Sequence, residues 1–393
     1  MLGVIDIGQV RLQGVTVLSS KPDVSRPVRS GAVSLADVAA MADVSTATVS
    51  RAINKPSMVK ADLRSRVDAA IKALGYVPNG AARALASRQT FAMGAIVPTL
   101  TNSLFSGTMD AFQHRLDQLG YVTFVTSTEY DNDREVRHAR SLVEHGVDGL
   151  MLVGYRHDSS LYALLREHNV PFVNSWAAQE DSHYPAIGYS GQEGGEISAN
   201  YLLSLGHRSF GVIIGNPAKN DRMETRLQGI RAALGRAGIT LNPDNIVFSG
   251  YSIEDGRQGC AELFARGSHP TAILAGNDIL GLGILLECMH RGIAVPDELS
   301  IMGFGDAPIA ANFIPPMSTV RISSSEVGVA IADYLVARAE GREGTLPPVD
   351  LQLLPRGTTA PPRMLAASKG AAAARPLAAT PRAKSDTPRP PKR

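Results

Sequence analysis

The stretch SLADVAAMADVSTATVSRAIN, Ser34 to Asn54, sets two short helices one behind the other. Ser34 and Asp37 make a capping box, and Leu35, Val38, Ala39 and Ala42 share one face, which predicts an amphipathic helix over 35–42. Ser45 caps a second helix through Asn54, with Val49, Ala52 and Ile53 available for packing and Thr46, Ala47 and Ser50 exposed. Helices joined only by Asp43-Val44 must cross steeply. In such a helix-turn-helix the first residues of the second helix meet base edges in the major groove. Arg51 is the long donor of that face and suits a bidentate contact with guanine. Thr46 and Ala47 are short enough to read thymine methyl groups, while Ser45, Thr48, Asn54 and Lys60 suit phosphate contacts. Ser34, Leu35, Ser50 and Tyr76 complete the expected DNA-facing set.

A helical hairpin that merely packs on another element would give the same pattern, and charge separates the two readings. Between Ser34 and Thr90 Lys and Arg outnumber Asp and Glu by eight to four, whereas the whole chain carries a formal charge of only +2. Positive charge therefore concentrates where DNA would lie. Downstream, YVPNGAARALASR (76–88) holds an Ala-rich segment capped by Asn79, marginal as an isolated helix and suited to folding on DNA. Leu85, flanked by alanines, has the shape of a wedge between base steps in the minor groove.

These residues resemble the lactose-repressor and galactose-repressor (LacI/GalR) family of bacterial transcription regulators. The resemblance rests on Asp37-Val38-Ala39, on Val44 through Arg51 with Asn54, on LGYVPN, and on an AxxLA hinge from Ala82 to Ala86; it continues to about residue 360. It implies that Thr46, Ala47 and Arg51 read bases and that Leu85 is the intercalating leucine of a paired hinge helix. It also implies an effector domain like a periplasmic binding protein.

A chain of 393 residues with 44% apolar content can bury several cores. The expected organisation begins with residues 1–33 as an N-terminal extension, either a flexible leader or an early start site. No basic segment precedes its apolar stretch, so no signal peptide is expected. The helix-turn-helix domain follows over 34–78, then a hinge helix and linker over 79–90. An effector-binding and dimerisation domain spans 91–360, with lobe 1 at about 91–190 and 324–351 and lobe 2 at about 191–323 and 352–360. Residues 361–393, rich in Pro, Ala, Arg and Lys, read as a disordered basic tail. That tail lacks the leucine heptad by which some relatives tetramerise, so a homodimer is expected. Only two cysteines, Cys260 and Cys288, and no apolar run of the roughly 18 residues that span a membrane point to a cytoplasmic, nucleoid-associated protein.

From Ala92 onward short apolar strands alternate with amphipathic helices: AMGAIVP, YVTFVTS, GLMLVG and PFVNSW, then FGVIIG, NIVFSGY, AILAGN and LSIMGFG. Such alternation predicts parallel sheets covered by helices, here an α/β domain of two lobes that meet near Tyr189 to Gly191 and again near Ser318 to Ser324. Ligands of open α/β sheets bind beyond the carboxyl ends of the strands, so facing lobes make a closing cleft. The expected effector-binding residues are Thr99, Asn102, Phe105, His157 and Trp176 from the first lobe, with Tyr155 and Arg156 beside His157. From the second come Arg226, Tyr251, Asn277, Gly305 and Asp306. The set supplies donors and acceptors for hydroxyls and aromatic faces for C–H groups, as a sugar-like ligand requires. Each also has a plainer reading: Phe105 and Trp176 as lobe core, Asn277 as an Asx turn, Arg226 paired with Glu224. The resemblance assigns Arg226 and Asn277 to effector contacts. Where sugar-binding members carry an aspartate after Gly-Phe or Gly-Tyr, this chain has Gly305, and gluconate-type members depart from the aspartate there too. A sugar acid is therefore the favoured effector class, the alternative being Asp306 taking over the missing carboxylate's work.

No enzyme is expected: there is no Gly-x-Ser-x-Gly elbow, no Walker lysine and no histidine or cysteine pair at metal-ligand spacing, hence no cofactor and no metal. The sequence is thus read as a DNA-binding repressor of carbohydrate metabolism, released from its operator by a sugar or sugar acid. The rival readings are a sugar-binding receptor without DNA function and a corepressor-dependent regulator.

Overall fold

A computed structural model gives the fold; the structure describes residues 33–78, 89–100, 103–178 and 183–363. The chain divides into two compact units that part between residues 88 and 89. In the first, α1 (Leu35–Ala42), α2 (Thr46–Asn54) and α3 (Ala61–Leu74) enclose a small core of Val38, Ala39, Ala42, Val49, Ala52, Val67 and Ala70. The local signals account for the helix ends. The Asp37 carboxylate takes the Ser34 N–H at 2.8 Å while the Ser34 hydroxyl accepts from the Asp37 N–H at 3.3 Å. These hydrogen bonds to Ser34, the backbone one first, hold the Asp37 pKa below the usual carboxylate value. Ser45 accepts from the Thr48 N–H at 3.1 Å to start α2. Between them Asp43 takes the left-handed conformation (φ 50°), which lets the chain turn sharply out of α1.

In the second unit five parallel strands, β1 (Ala92–Val97), β2 (Val122–Ser127), β3 (Gly149–Val153), β4 (Phe172–Ser175) and β5 (Ala186–Ile187), lie in the order β2-β1-β3-β4-β5. β1 is buried along its whole length, as a continuous apolar run between two helical layers must be. Those layers come from α4 (Ser103–Gln118), α5 (Asn132–Glu144), α6 (Ser159–Glu167) and the late helix α11 (Ser324–Ala339). α11 lies along α4, where Arg115 bonds Asp333 at 2.7 Å.

A second parallel sheet has the order β7-β6-β8-β9, from β6 (Phe210–Gly215), β7 (Ile246–Ser249), β8 (Ala272–Ala275) and β9 (Ser300–Met302). Its helices are α7 (Gly191–Ser204), α8 (Asp221–Arg236), α9 (Ile253–Ala265) and α10 (Asp278–Arg291). The eight strand runs picked out by apolar pattern are β1–β4 and β6–β9. The antiparallel pair β10 (Thr319–Ile322) and β11 (Leu351–Leu354) carries the chain to α11 and back. Thr358 then returns to the second lobe, where it donates to the Ile301 carbonyl at 2.7 Å. The lobes are therefore joined after β5, through β10 and through β11, and the carboxyl ends of β1, β2, β3 and β6 border one cleft.

Candidate functional site

On the first unit, the buried residues of α2 are Val49 and Ala52, which leaves Ser45, Thr46, Ala47, Arg51 and Asn54 exposed and Thr48 and Ser50 half-buried. Ser34 and Lys60 are exposed too. Leu35 and Tyr76 are half-buried and pack on the helical core, which fits a structural role at least as well as the DNA contact expected of them. The eight-to-four charge excess is spent unevenly. Arg66 donates to the carbonyls of Ala42 at 2.6 Å and Asp43 at 2.7 Å, closing the end of α1, and Arg64 pairs with Asp68. Arg51, Lys55, Lys60 and Lys72 have no ion-pair partner among the described residues. Arg51 lies in the last turn of α2 and Lys55 and Lys60 in the turn that follows it, so the free charge gathers at the C-terminal end of that helix. Asn79, Ala82 and Leu85 lie outside the described residues.

The cleft between the lobes holds a cavity of 590 Å³. Its first-lobe wall includes Thr128, Tyr130, Arg134, Glu135, Arg156 and His157, and its second-lobe wall Lys219, Asn220, Asp221 and Arg222. His157 is nearly buried, with Nδ1 2.9 Å from Glu135 and Nε2 3.2 Å from the Gly154 carbonyl. Tyr130 stacks on Tyr251 across the cleft at 4.9 Å and 18°, and Asn220 donates to the Tyr251 hydroxyl at 2.8 Å. Burial raises the pKa of both phenols, so they stand neutral as donors. Arg222 is buried against Asp221 at 3.0 Å. Desolvation works against both charges, yet each partner holds the other ionised: the Asp221 pKa is lowered and that of Arg222 raised.

One turn along α8, Arg226 lies deeper, only 2% exposed, in a cluster with Phe105, Trp176, Tyr189 and Phe304. Its guanidinium sits 3.4 Å from the Phe304 ring centre and donates to Tyr189 at 2.7 Å and to the Gly276 carbonyl. Its Nε is buried without a hydrogen-bond partner, and it makes no ion pair among the described residues. Desolvation accordingly lowers its pKa. Trp176 holds a left-handed backbone (φ 66°), a costly conformation for a large aromatic residue and one that recurs at ligand sites.

Of the residues expected in the cleft, His157 lines the cavity and Tyr251 stacks on the lining Tyr130, whereas Phe105, Trp176 and Arg226 do not line it but cluster about Tyr189 and Phe304, with Arg226 one turn of α8 from the lining Arg222. Thr99 is half-buried just past β1, and Asn102 lies outside the described residues. Three expectations need correction. Asn277 caps α10 through the Leu280 N–H at 2.8 Å, so its carbonyl oxygen serves the helix rather than a ligand. Gly305 and Asp306 do not line the cavity. The Asp306 carboxylate is held by Arg356 at 2.6 Å and Arg321 at 2.7 Å, so it does not take over the missing carboxylate's work. Glu224, considered as a partner of Arg226, pairs instead with Arg156 of the other lobe. Arg156, expected with Tyr155 and His157 after β3, lines the cavity, whereas the reading from sequence missed Tyr130, Asp221 and Arg222. The signal was present in Asn220-Asp221-Arg222, a capped helix start behind the strand FGVIIG, where strand-end ligand residues belong.

Residues 34–79 match the family model of bacterial regulatory proteins of the lacI family, and residues 199–359 match that of a periplasmic binding protein-like domain. The chain is similar to the ribose operon repressor of Escherichia coli, 32% identical over 321 residues that cover 81% of this chain and 96% of the relative. Among solved structures it is similar to a lac repressor dimer bound to operator and the anti-inducer ONPF, with a TM-score of 0.73 and 28% identity, covering 84% of this chain and 100% of that one. It is also similar to the transcription regulator GntR from Chromobacterium violaceum, with a TM-score of 0.65 and 28% identity, covering 68% and 99%.

Proposed function

The chain belongs to the lacI family of bacterial regulatory proteins, a family of regulators and not of enzymes, and from that premise we propose how it works. It is a transcriptional repressor that binds a pseudo-palindromic operator as a homodimer and is released by a small sugar-acid effector of the gluconate type. It acts where the DNA is, in the cytoplasm. Residues 34–78 form the reading head, 79–90 the hinge, and 91–360 the effector and dimerisation domain.

The observation that carries the DNA reading is the placement of free charge: Arg51, one helical turn from the exposed Ala47, and Lys55 and Lys60, just past the end of α2, have no ion-pair partners among the described residues. Arg51 reads a guanine edge, and the lysines with Ser45, Thr48 and Asn54 hold phosphates. Dimerisation is supported by the outer strands of both sheets. β2 leaves Val122 56% and Phe124 46% exposed, and β7 leaves Phe248 52% exposed. Apolar side chains on an open sheet edge invite pairing, which a second copy satisfies.

The acid class of effector is supported by Arg226. A buried guanidinium with an unmatched Nε and no carboxylate partner is unfavourable unless an anion joins it. A ligand carboxylate that reaches Arg226, one turn from the lining Arg222, supplies that anion, and the cavity's polar walls take its hydroxyls. Calorimetric titration of the full chain with gluconate and with glucose tests this: gluconate binds more tightly, and glucose binding as tightly as its acid overturns the acid class. Anisotropy with labelled operator tests the repressor reading separately. Operator affinity falls when gluconate is added, and affinity equal on operator and random DNA contradicts it.

A further inference from the structure

The cavity's two walls are also fastened to each other, through a carboxylate of one lobe set into the backbone of the other. Asp221, at the start of α8, accepts the N–H groups of Tyr155 at 2.6 Å and Arg156 at 2.9 Å, both just past β3. Gly154 makes the seat. Its φ of +97° turns successive N–H groups toward one point, a backbone concavity that binds anions. A Cβ there would meet Arg222 at 2.5 Å and Asp221 at 2.7 Å, so only glycine lets the lobes approach this closely. Arg156, whose own N–H holds Asp221, extends its side chain to Glu224 and to the Pro217 carbonyl at 3.3 Å, again across the cleft.

We propose that Asp221, seated on Tyr155 and Arg156, and Glu224, paired with Arg156, act as one latch that holds the effector cleft closed before ligand arrives. This rests on reading the cleft as the effector site. If the lobes part, the anion and its two N–H donors separate together with the ion pair, so the contacts break as a unit. The apparent affinity of a ligand that needs the closed cleft scales with the closed fraction. Latch strength thereby sets the effector concentration at which the regulator responds, and Glu224, which does not line the cavity, separates that effect from Asp221's own place in the wall.

Native-state hydrogen exchange of the full chain, resolved at the Tyr155 and Arg156 amides, tests this. Glu224→Gln leaves Asp221 and both donors untouched. If the contacts form one latch, protection at both amides still falls, by about twofold to fivefold, the range an exposed ion pair supports. Asp221→Asn lowers it by more than about tenfold, since charge-assisted bonds are lost. The gluconate Kd weakens in the same order. Protection in Glu224→Gln equal to that of the parent shows two independent surface contacts and overturns the latch. Failure of gluconate to bind the parent refutes the acid effector, while the exchange result still decides the latch.

Discussion

Replacing Arg226 by Met removes the charge and keeps much of the volume, which isolates what the buried guanidinium does. In the ligand-free protein two effects oppose each other. Removing a buried charge that no carboxylate balances relieves its desolvation cost. Leaving the Tyr189 hydroxyl and the Gly276 carbonyl without their donor costs ~1–3 kcal/mol each. The two effects offset in part, so the variant stays folded with an unfolding free energy below the parent's by about 1–3 kcal/mol. Gluconate binding has no such compensation. A charge-assisted hydrogen bond contributes ~1.5–3 kcal/mol, so its loss weakens binding by about tenfold to a hundredfold. Operator affinity without ligand is unchanged, because Arg226 belongs to the other compact unit. Calorimetry with gluconate, beside urea unfolding of the same samples, reads both quantities. Unaltered gluconate affinity in a folded Arg226→Met protein refutes the assignment of Arg226 as the counter-charge.

Burial raises the Asp278 pKa from 3.8 to about 6, despite hydrogen bonds from Thr319 and the Ala307 N–H. A raised folded value gives stability that is full below the unfolded pKa and lost as pH rises through the folded one. Relative to the parent, Asp278→Asn should therefore gain ~3 kcal/mol between about pH 4 and pH 7. Denaturant titrations across that range check this, and parallel profiles for the two proteins would contradict it. On the open edge of the first sheet, Phe124→Glu places a charge where a second copy would cover apolar surface. Sedimentation equilibrium should show dimer dissociation strengthened at least about tenfold, and an unaltered dimer would move the interface elsewhere.

How far the sequence could be read differs along the chain for physical reasons. α1 and α2 were legible because their caps, Ser34-Asp37 and Ser45, act within three residues, and their apolar faces repeat at helical spacing. The eight central strands announced themselves as apolar runs. β5 did not, being two residues long, nor did β10 and β11, whose apolar runs are interrupted by the exposed Arg321 and Gln352. The same distinction governs the site. Trp176 and Arg226 could be named as candidates from their positions at strand and helix ends, but the burial of Arg226 against Phe304 and Tyr189 depends on residues far away in the chain. Asp221 was missed because its partnership with the Arg156 N–H joins residues 65 apart across two lobes. Asp306 was misjudged for the same cause: the arginines that occupy it lie at 321 and 356, on β10 and just past β11.

The central claim, that α2 reads DNA, is tested most directly by comparing Arg51→Ala with the parent on operator and on random duplex at one salt concentration. A base-reading arginine predicts a loss of ~1–3 kcal/mol on operator and almost none on random DNA. Equal losses on both would make Arg51 a phosphate contact, and no loss on either would remove α2 from the major groove.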